Sequence, residues 1–376
     1  MERSTSPVWQ NIKTIVAHDW LVTWAGAERC LAEILNVLPS ADVVASVVSN
    51  DVRQLNELTR RCRETWLGQI PGARQHHRLF LPLELLAFLY LQTKHYDLVI
   101  SSSHAFAKGI HPGRLGIHIS YCYSPPRYVW DLYDTYVSRS SLVGRLALQL
   151  ARIPLQYADR YTARRVTHFV AISEFVANRI RRCYNRTARV VYPPVTPKSR
   201  SPVGARTREQ FLLYLGRLVP YKRLDVLLGA ADRLGIPLVI AGDGPDRTRL
   251  ERLAGRTAQF LGNVDDTTAS DLLNRCACFV FAAEEDFGIA PLEANAHGAP
   301  VVAFAGGAIL ETMVPGVTAE LFDSPTMESA LAAMRRALNR SWDERSLRRN
   351  AERFSPERFR SSFIAVLEAA MAGDRW

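Results

Sequence analysis

The sequence predicts an α/β fold built from two doubly wound, Rossmann-like domains and a C-terminal helix. The chain has 376 residues, which is the length of two ordinary domains. Short apolar, β-branched runs alternate with helical patterns, as in parallel sheets that carry helices on both faces. A proline-rich stretch between residues 192 and 202 interrupts this alternation, which then starts again.

The first domain is predicted over residues 1–195, the second over residues 196–355, and a C-terminal helix over residues 356–376, packing back on the body. The strands expected in the first domain are residues 14–17, 43–48, 98–100, 118–121 and 169–172, and its helices are residues 27–38, 82–92, 143–166 and 174–184. In the second domain the expected strands are residues 211–215, 238–241, 259–261, 279–282 and 301–304, and the helices are residues 224–234, 246–253, 269–275, 289–297 and 328–338. Open parallel sheets bind ligands at the carboxyl ends of their strands, so the two domains are expected to face a ligand cleft.

Positive charge is concentrated in the first half of the chain. The whole sequence has 47 Lys and Arg against 37 Asp and Glu, a net charge of +10. Residues 1–200 hold 26 basic and 14 acidic side chains, whereas residues 201–376 hold 21 and 23. A basic surface suits nucleic acid, an anionic membrane or a phosphorylated substrate. Composition alone does not choose among these partners, and the basic residues could also serve only to keep the protein soluble. No export signal or membrane-spanning run is visible, so a cytoplasmic location is expected.

The strongest chemical signal lies in residues 279–300. A strand and an acidic turn are expected first, followed by a helix that begins near Gly288 and stops at Gly298. Glu285 and Glu293 are then expected to face one crevice beside the N–H groups of the helix start. Ionised carboxylates accept hydrogen bonds from hydroxyl groups, so the stretch favours a polyhydroxylated ligand over a bare phosphate.

A pair of cations marks the start of the second domain. Arg217 and Lys222 flank a strand-to-helix turn after Gly216, where two positive charges suit a diphosphate. The corresponding loop of the first domain, residues 18–29, contains a single glycine, Gly26.

Several common enzyme classes lack their sequence signature in this chain. Neither residues 18–29 nor residues 242–245 contain the three glycines of a dinucleotide fingerprint, which argues against nicotinamide binding. A P-loop, a G-x-S-x-G elbow and an H-E-x-x-H motif are also missing from the sequence.

Taken in chain order, these motifs resemble the retaining nucleotide-sugar glycosyltransferases of family 4, which have the two-domain GT-B fold. The resemblance covers nearly the whole chain, and the Glu-x7-Glu pair at positions 285 and 293 is its most specific part. Residues 118–136 look most like bacterial mannosyltransferases of surface-polysaccharide assembly. The other motifs that carry the resemblance are Gly26-Ala27-Glu28-Arg29, Ser102-Ser103-His104-Ala105, Ala171-Ile172-Ser173, Gly216-Arg217 with Lys222, and Gly242-Asp243-Gly244-Pro245.

The resemblance implies that the second domain binds the nucleotide-sugar donor. Arg217 and Lys222 are then expected on the diphosphate, and Glu293 on the ribose. The base is expected beside Val264, and the sugar on Glu285 and the backbone amides of residues 287–290. The complete set of implied donor-binding residues is Gly26, Gly216, Arg217, Lys222, Val264, Glu285, Phe287, Gly288, Ile289, Ala290 and Glu293.

Four residues are implied as catalytic, namely His104, Glu285, Arg217 and Lys222. His104 follows a first-domain strand, where the family has a histidine near the transferred sugar. The cations and the helix N–H groups are expected to stabilise the departing diphosphate in place of a metal ion, so neither a metal nor another cofactor is expected.

The acceptor-binding residues implied by the resemblance are Tyr123 and Arg127, although Tyr123 stands where the mannosyltransferase subgroup has a histidine. GDP-mannose is the expected donor, with a UDP-sugar as the alternative. The expected acceptor is a glycan or a polyprenyl-diphosphate-linked oligosaccharide. The basic first domain is then expected to meet the anionic inner membrane, and not nucleic acid, with the protein peripheral on the cytosolic face. The arginines expected at that surface are Arg152, Arg160, Arg164, Arg165, Arg179, Arg181 and Arg182.

Three other function classes remain open at this stage. A nucleotide-sugar epimerase or phosphorylase can use the same fold and is distinguished by its products. An oxidoreductase shares the sheet topology and is expected to bind NADH. A nucleic-acid-binding protein is expected to bind DNA with a steep salt dependence.

Overall fold

The computed structural model describes residues 12–49, 56–113, 116–131, 133, 142–196 and 208–376. The chain divides into two compact units, Met1–Pro194 with Glu357–Trp376, and Val195–Pro356. Each unit contains one parallel sheet with helices, so the predicted fold class of two doubly wound domains and a C-terminal helix is confirmed.

The first unit has a seven-stranded sheet with the order β3-β2-β1-β4-β5-β6-β7, in which every pairing is parallel. Its strands are β1 (Thr14–His18), β2 (Asp42–Ala45), β3 (Cys62–Glu64), β4 (Leu98–Ser103), β5 (Ile117–Cys122), β6 (His168–Ala171) and β7 (Ala188–Val190). The α-helices described before the second unit are α1 (Gly26–Val37), α2 (Asn56–Arg61), α3 (Leu81–Leu89), α4 (Leu142–Ala163) and α5 (Glu174–Tyr184). Short 3₁₀ turns span Trp66–Gln69, His77–Phe80 and Ala107–Gly109.

The second unit has a six-stranded sheet with the order β10-β9-β8-β11-β12-β13, again parallel throughout. Its strands are β8 (Leu212–Leu215), β9 (Leu238–Ala241), β10 (Ala258–Gly262), β11 (Cys278–Phe281), β12 (Val301–Phe304) and β13 (Ala319–Phe322). Its helices are α6 (Leu224–Leu234), α7 (Arg247–Leu253), α8 (Asp266–Arg275), α9 (Ile289–Ala296), α10 (Ile309–Thr312), α11 (Met327–Leu338) and α12 (Glu344–Glu352), with a 3₁₀ turn at Pro220–Lys222.

The central strands are apolar because both faces of each sheet are covered. All five residues of β1 and all six of β4 are buried, as are all four of β9 and β11. Strands buried on both faces read as continuous apolar runs, which is why the sequence identified them. The short edge strands β3 and β7 were not predicted, because each has only three partly exposed residues and contains an arginine.

Both sheets reverse their strand order at one place. In the first unit the reversal lies between β1 and β4, and in the second it lies between β8 and β11. The loops that leave these neighbouring strands diverge to opposite sides and open a crevice at the carboxyl ends, where doubly wound folds bind ligands.

The C-terminal helix α13 (Pro356–Met371) packs within the first unit, although it follows the second in sequence. The rings of Phe359 and Phe363 lie edge-on to Tyr121 of β5, with centroids 5.7 and 6.4 Å away. Arg360 forms an ion pair of 2.6 Å with Glu33 of α1. These contacts hold α13 against the first unit. Residues 197–202 of the predicted proline-rich linker lie outside the described residues.

Candidate functional site

The reversal point of the second sheet brings a lysine and a glutamate together. Lys222 ends the 3₁₀ turn after β8, and Glu285 follows β11. The Nζ of Lys222 lies 3.2 Å from Oε1 of Glu285, and the two side chains are 17% and 20% exposed. Burial disfavours the charged ammonium, but the Glu285 carboxylate outweighs this effect and raises the pKa of Lys222 above its ordinary value. The crevice therefore contains a fixed positive charge that is partly open to solvent.

Glu285 is held in place by its backbone. Its carbonyl oxygen accepts the N–H of Ala308 at 3.0 Å, and it forms a parallel bridge with Gly307. A Cβ on Gly307 would lie 2.3 Å from that carbonyl oxygen, so only glycine permits this approach. The loop after β12 thus fixes the position from which the carboxylate leaves β11.

A helix N-terminus opens beside this ion pair. Gly288 caps α9 in the left-handed region with a φ of 83°, and Gly298 follows the helix with a φ of 73°. The prediction that a helix begins near Gly288 and stops at Gly298 is confirmed. The backbone N–H groups of Ile289 and Ala290 belong to the first turn, where no intrahelical acceptor is available. Glu293 lies one turn further on and is half-buried.

Phe287 has a different position from its neighbours. Its side chain is 3% exposed and lies edge-on to Phe354, with ring centroids 5.6 Å apart. The ring therefore anchors the acidic turn in the core of the second unit, and only the backbone of Phe287 belongs to the crevice.

Three glycines let the loops after β8 and β9 meet backbone to backbone. The N–H of Gly216 donates to the carbonyl of Ala241 at 2.9 Å, and the N–H of Gly242 donates to Gly262 at 2.7 Å. A Cβ on Gly242 would lie 2.0 Å from the carbonyl oxygen of Gly216, and a Cβ on Gly244 would lie 2.2 Å from that of Leu218. The Gly-Asp-Gly-Pro motif is thereby explained by close packing under the loop that carries Arg217 and Lys222.

Substituting Gly242 with alanine is expected to lower the free energy of unfolding by about 2–4 kcal/mol, because the new Cβ displaces backbone and φ is 138° there. Gly235→Ala is the matched control, since φ is 70° but nothing lies within 4 Å of the new Cβ. That control is expected to cost only about 1 kcal/mol. Urea unfolding measures both, and equal losses for the two variants would contradict this account.

The remaining donor-side residues lie in loops that follow β8 and β10. Arg217 is exposed just beyond β8, and its charge acts against that of Lys222. Val264 is half-buried in the turn between β10 and α8. Asp265 caps α8 by accepting the N–H of Thr268 at 2.8 Å.

The reversal point of the first sheet contains a buried aspartate that the sequence argument did not select. Asp19 follows β1 and is fully buried. Its carboxylate accepts the backbone N–H groups of His104, Ala105 and Ala107 at 2.6, 2.9 and 2.8 Å, and the hydroxyl of Ser103 at 3.0 Å. The Nδ1 of His104 lies 3.1 Å from the same carboxylate. Asp19 therefore fixes both the backbone and the ring of His104.

The electrostatics agree with a charged Asp19. Burial alone raises the pKa of a carboxyl group, but the His104 imidazole and the N–H groups of His104 and Ala107 outweigh it and hold the pKa of Asp19 below its ordinary value of 3.8. His104 is itself 34% exposed, and its ring lies edge-on to Trp20 at 4.6 Å. The imidazole is thus rigidly oriented at the open end of the sheet.

A second hydrogen-bond network fixes the start of α1, where Gly26 lies. Tyr123 Oη lies 2.7 Å from the Ser102 hydroxyl and donates to the carbonyl of Ala27 at 2.8 Å, in the first turn of α1. Glu28 accepts the N–H of Ala25 at 2.9 Å and caps the same turn. The Tyr123 hydroxyl, which was expected at the acceptor, therefore stabilises the first turn of α1. Arg127 is half-buried in the segment that follows β5.

Among the described residues, no group of three His, Cys, Asp or Glu side chains is placed to hold a metal ion. In the same part of the chain, none of the helices combines the length and apolar character needed to span a bilayer.

Comparison with known proteins adds to this geometry. Residues 195–354 match the family model Glycosyl transferases group 1. D-rhamnosyltransferase WbpZ of Pseudomonas aeruginosa is 28% identical over 253 residues, which cover 62% of this chain and 63% of that protein. The GDP-mannose-dependent alpha-(1-6)-phosphatidylinositol dimannoside mannosyltransferase of Mycobacterium tuberculosis is 34% identical over 174 residues, covering 44% and 45%. The chain thus matches less than two thirds of the length of these relatives.

Solved structures resemble the chain over nearly its whole length. Anabaena Alr3699/HepE in complex with UDP-glucose superposes with a TM-score of 0.69 at 16% identity, covering 95% of this chain and 99% of that one. Sucrose-phosphate synthase (tll1590) from Thermosynechococcus elongatus gives a TM-score of 0.69 at 18% identity, with coverages of 96% and 100%. The GT-B fold is confirmed by this likeness. The second unit of this chain is therefore similar, over residues 195–354, to the glycosyl transferases group 1 family.

Proposed function

We propose that this protein is a retaining glycosyltransferase that moves mannose from GDP-mannose onto a glycan or lipid-linked oligosaccharide in bacterial surface-polysaccharide assembly. The observation that carries the proposal is the ion pair of Lys222 with Glu285 at the reversal point of the second sheet, beside the first turn of α9. A fixed cation, a carboxylate and the N–H groups of a helix N-terminus suit the diphosphate and the hydroxyl groups of one nucleotide sugar.

The chemistry proposed for this crevice is leaving-group stabilisation. The bond between the anomeric carbon and the diphosphate oxygen breaks, and the acceptor oxygen forms the new bond on the same face. The leaving diphosphate takes the proton of the acceptor hydroxyl. Lys222 and Arg217 are proposed to stabilise the negative charge on that diphosphate, because preorganised cations act most strongly where charge develops. No metal ion is required in this scheme.

Each other site residue has a proposed role. Glu285 and the amides of Gly288, Ile289 and Ala290 bind sugar hydroxyls, and Glu293 binds the ribose. Val264 lies beside the base, and His104 positions the transferred sugar. Their support is the position of Glu285 and the first turn of α9 directly after β11, and the orientation of His104 by Asp19.

The identity of the donor is proposed from the relatives. Proteins named as GDP-mannose-dependent mannosyltransferases and as a D-rhamnosyltransferase match the sequence at 28–34% identity. A UDP-sugar is the second candidate, because the solved neighbour Alr3699/HepE is described with UDP-glucose and with UDP. The acceptor is proposed to be lipid-linked, with the protein peripheral on the cytosolic face of the inner membrane.

A donor panel tests this proposal. Thermal unfolding and nucleotide release are measured with GDP-mannose, UDP-glucose, UDP-N-acetylglucosamine and UDP-galactose, each with and without EDTA. A donor present at 100 times its Kd is expected to stabilise the protein by about 2.7 kcal/mol. GDP-mannose is expected to give the largest rise in Tm and slow release of GDP, unchanged by EDTA.

The other outcomes separate the alternatives. A rise in Tm confined to UDP-sugars overturns the donor assignment and leaves the transferase assignment in place. An isomeric nucleotide sugar, formed without release of free nucleotide, indicates an epimerase. Activity that EDTA abolishes and Mg²⁺ restores overturns the metal-free mechanism.

A further inference from the structure

Helix α4 exposes a row of apolar side chains. Leu146, Leu150, Ile153, Tyr157 and Tyr161 recur at intervals of three or four residues, and their exposed fractions are 59, 71, 75, 71 and 42%. Residues with this spacing lie along one face of a helix. We call these five side chains the α4 stripe.

The opposite face of the helix already has its partner within the first unit. Leu155 packs against a buried cluster that contains Phe106, and Asp159 and Thr162 are fully buried. Asp159 pairs with Lys108 at 2.6 Å and accepts the indole N–H of Trp130 at 2.8 Å. The α4 stripe is therefore a second apolar face and not part of the core of this unit.

The exposed charged side chains of α4 are positive. Within α4 the basic residues are Arg145, Arg152 and Arg160, whereas the single acidic residue, Asp159, is buried. Arg164 and Arg165 follow the helix, and the Arg165 guanidinium stacks on Tyr161 at 4.6 Å. An exposed apolar row beside cations and tyrosines is the composition of a helix that lies in an anionic membrane interface.

The same charges disfavour a second copy of this chain as the occupant. Pairing two stripes would bring the arginines of both helices together, with no exposed carboxylate on α4 to neutralise them. An anionic lipid surface supplies the complementary charge, and the apolar side chains enter its acyl region.

We propose that the α4 stripe is a membrane-docking surface that inserts into anionic lipid bilayers with α4 parallel to the membrane plane. The proposal rests on the proposed function only in that a lipid-linked acceptor gives such docking a purpose. It also corrects the expected set of lipid-facing arginines. Arg179 is fully buried and bonded to Asp131 and Ser124, so it does not contact lipid.

Flotation with lipid vesicles tests the proposal. The full chain is mixed with vesicles of phosphatidylcholine and phosphatidylglycerol, or of phosphatidylcholine alone. Binding is expected only to the anionic vesicles and is expected to weaken at high salt. The double variant Leu150→Ser/Ile153→Ser is expected to bind at least about tenfold more weakly. Arg145→Gln/Arg164→Gln is expected to lose about fivefold for each arginine.

Matched variants in the second unit control for general changes in polarity and charge. Leu253 and Leu310 are 56% and 60% exposed, and Leu253→Ser/Leu310→Ser removes similar apolar surface far from α4 in sequence. Arg335→Gln/Arg345→Gln removes two exposed arginines in the same way. Both control variants are expected to bind anionic vesicles like the wild type.

The result that overturns the proposal is unchanged vesicle binding by the Leu150→Ser/Ile153→Ser variant while its thermal unfolding matches the wild type. A wild-type dimer in sedimentation that this variant abolishes overturns it as well, in favour of a second copy. Nucleotide release from the donor, measured without lipid, tests the proposed glycosyltransferase function independently of the docking surface. Vesicle binding by a wild type that hydrolyses no nucleotide sugar contradicts the proposed function and leaves the docking surface standing.

Discussion

Replacing Lys222 with alanine is expected to lower the rate of sugar transfer by about 10²–10³-fold while the protein stays folded. The reason is that Lys222 carries a positive charge fixed at the crevice by Glu285, 3.2 Å away. In the proposed mechanism, loss of the ammonium removes one preorganised charge opposite the departing diphosphate and leaves Glu285 to repel that anion. Initial rates at saturating donor, followed by nucleotide release, measure the loss.

The Lys222→Ala variant has a matched control in helix α6 of the same unit. Arg233 lies in the last turn of α6 with a side chain 61% exposed, so Arg233→Ala removes a charge outside the crevice. That variant is expected to keep nearly the wild-type rate. Glu285→Ala is expected to be as impaired as Lys222→Ala, and near-normal rates in both variants would exclude this crevice as the reaction site.

The central strands were predictable because each is marked by an apolar run within its own few residues. Strands β8, β9, β11 and β12 are short, continuous apolar runs in which nearly every residue is buried. The start of α9 was predictable for the same reason, since Gly288 and Gly298 mark its ends. Strand β13 was missed because Ala319–Phe322 contains a glutamate and follows an irregular segment.

Contacts between distant parts of the chain were not predictable from local patterns. The pairing of Lys222 with Glu285 depends on β8 lying beside β11, and strand order is a property of the whole sheet. The sequence pattern indicated both residues but not the contact between them. Tyr123 shows the limit more clearly, because no sequence pattern indicates that its hydroxyl bonds Ser102 and the carbonyl of Ala27.

Asp19 was not predicted as a site residue, although it lies within residues 18–29, the segment that contains Gly26. A single aspartate after a strand usually caps a turn, and nothing near it in sequence announces the N–H groups of residues 104–107. The signal that was present is its position directly after the first strand of the sheet, at the reversal point. His104 leaves the neighbouring strand β4, so topology alone brings the two together.

Asp19→Asn is therefore expected to lower the free energy of unfolding by about 3 kcal/mol, since hydrogen bonds to a buried charge contribute about 1.5–3 kcal/mol each. Each carboxylate oxygen accepts two donors in the native protein, and the amide NH₂ of asparagine must oppose some of them. The loss of orientation at His104 is expected to reduce the transfer rate by up to about 100-fold. Urea unfolding and nucleotide release measure the two effects.

The pH dependence distinguishes a lost charge from a general disturbance. The pKa of Asp19 is held below its ordinary value of 3.8, so its contribution is complete above that value and is lost as the pH falls through the folded-state pKa. The stability difference between wild type and Asp19→Asn is therefore expected to be constant at neutral pH and to shrink below about pH 3.8.

Two further variants complete this test. Asp97 is an exposed carboxylate just before β4, so Asp97→Asn is expected to change neither stability nor rate. His104→Gln removes the ring and leaves the backbone bonds of Asp19 in place, so it is expected to lose rate with a smaller loss of stability. If Asp19→Asn instead keeps the wild-type rate at equal stability, the buried carboxylate does not orient His104. If Asp19→Asn lowers the free energy of unfolding but not the transfer rate, Asp19 stabilises the fold without being needed to orient His104.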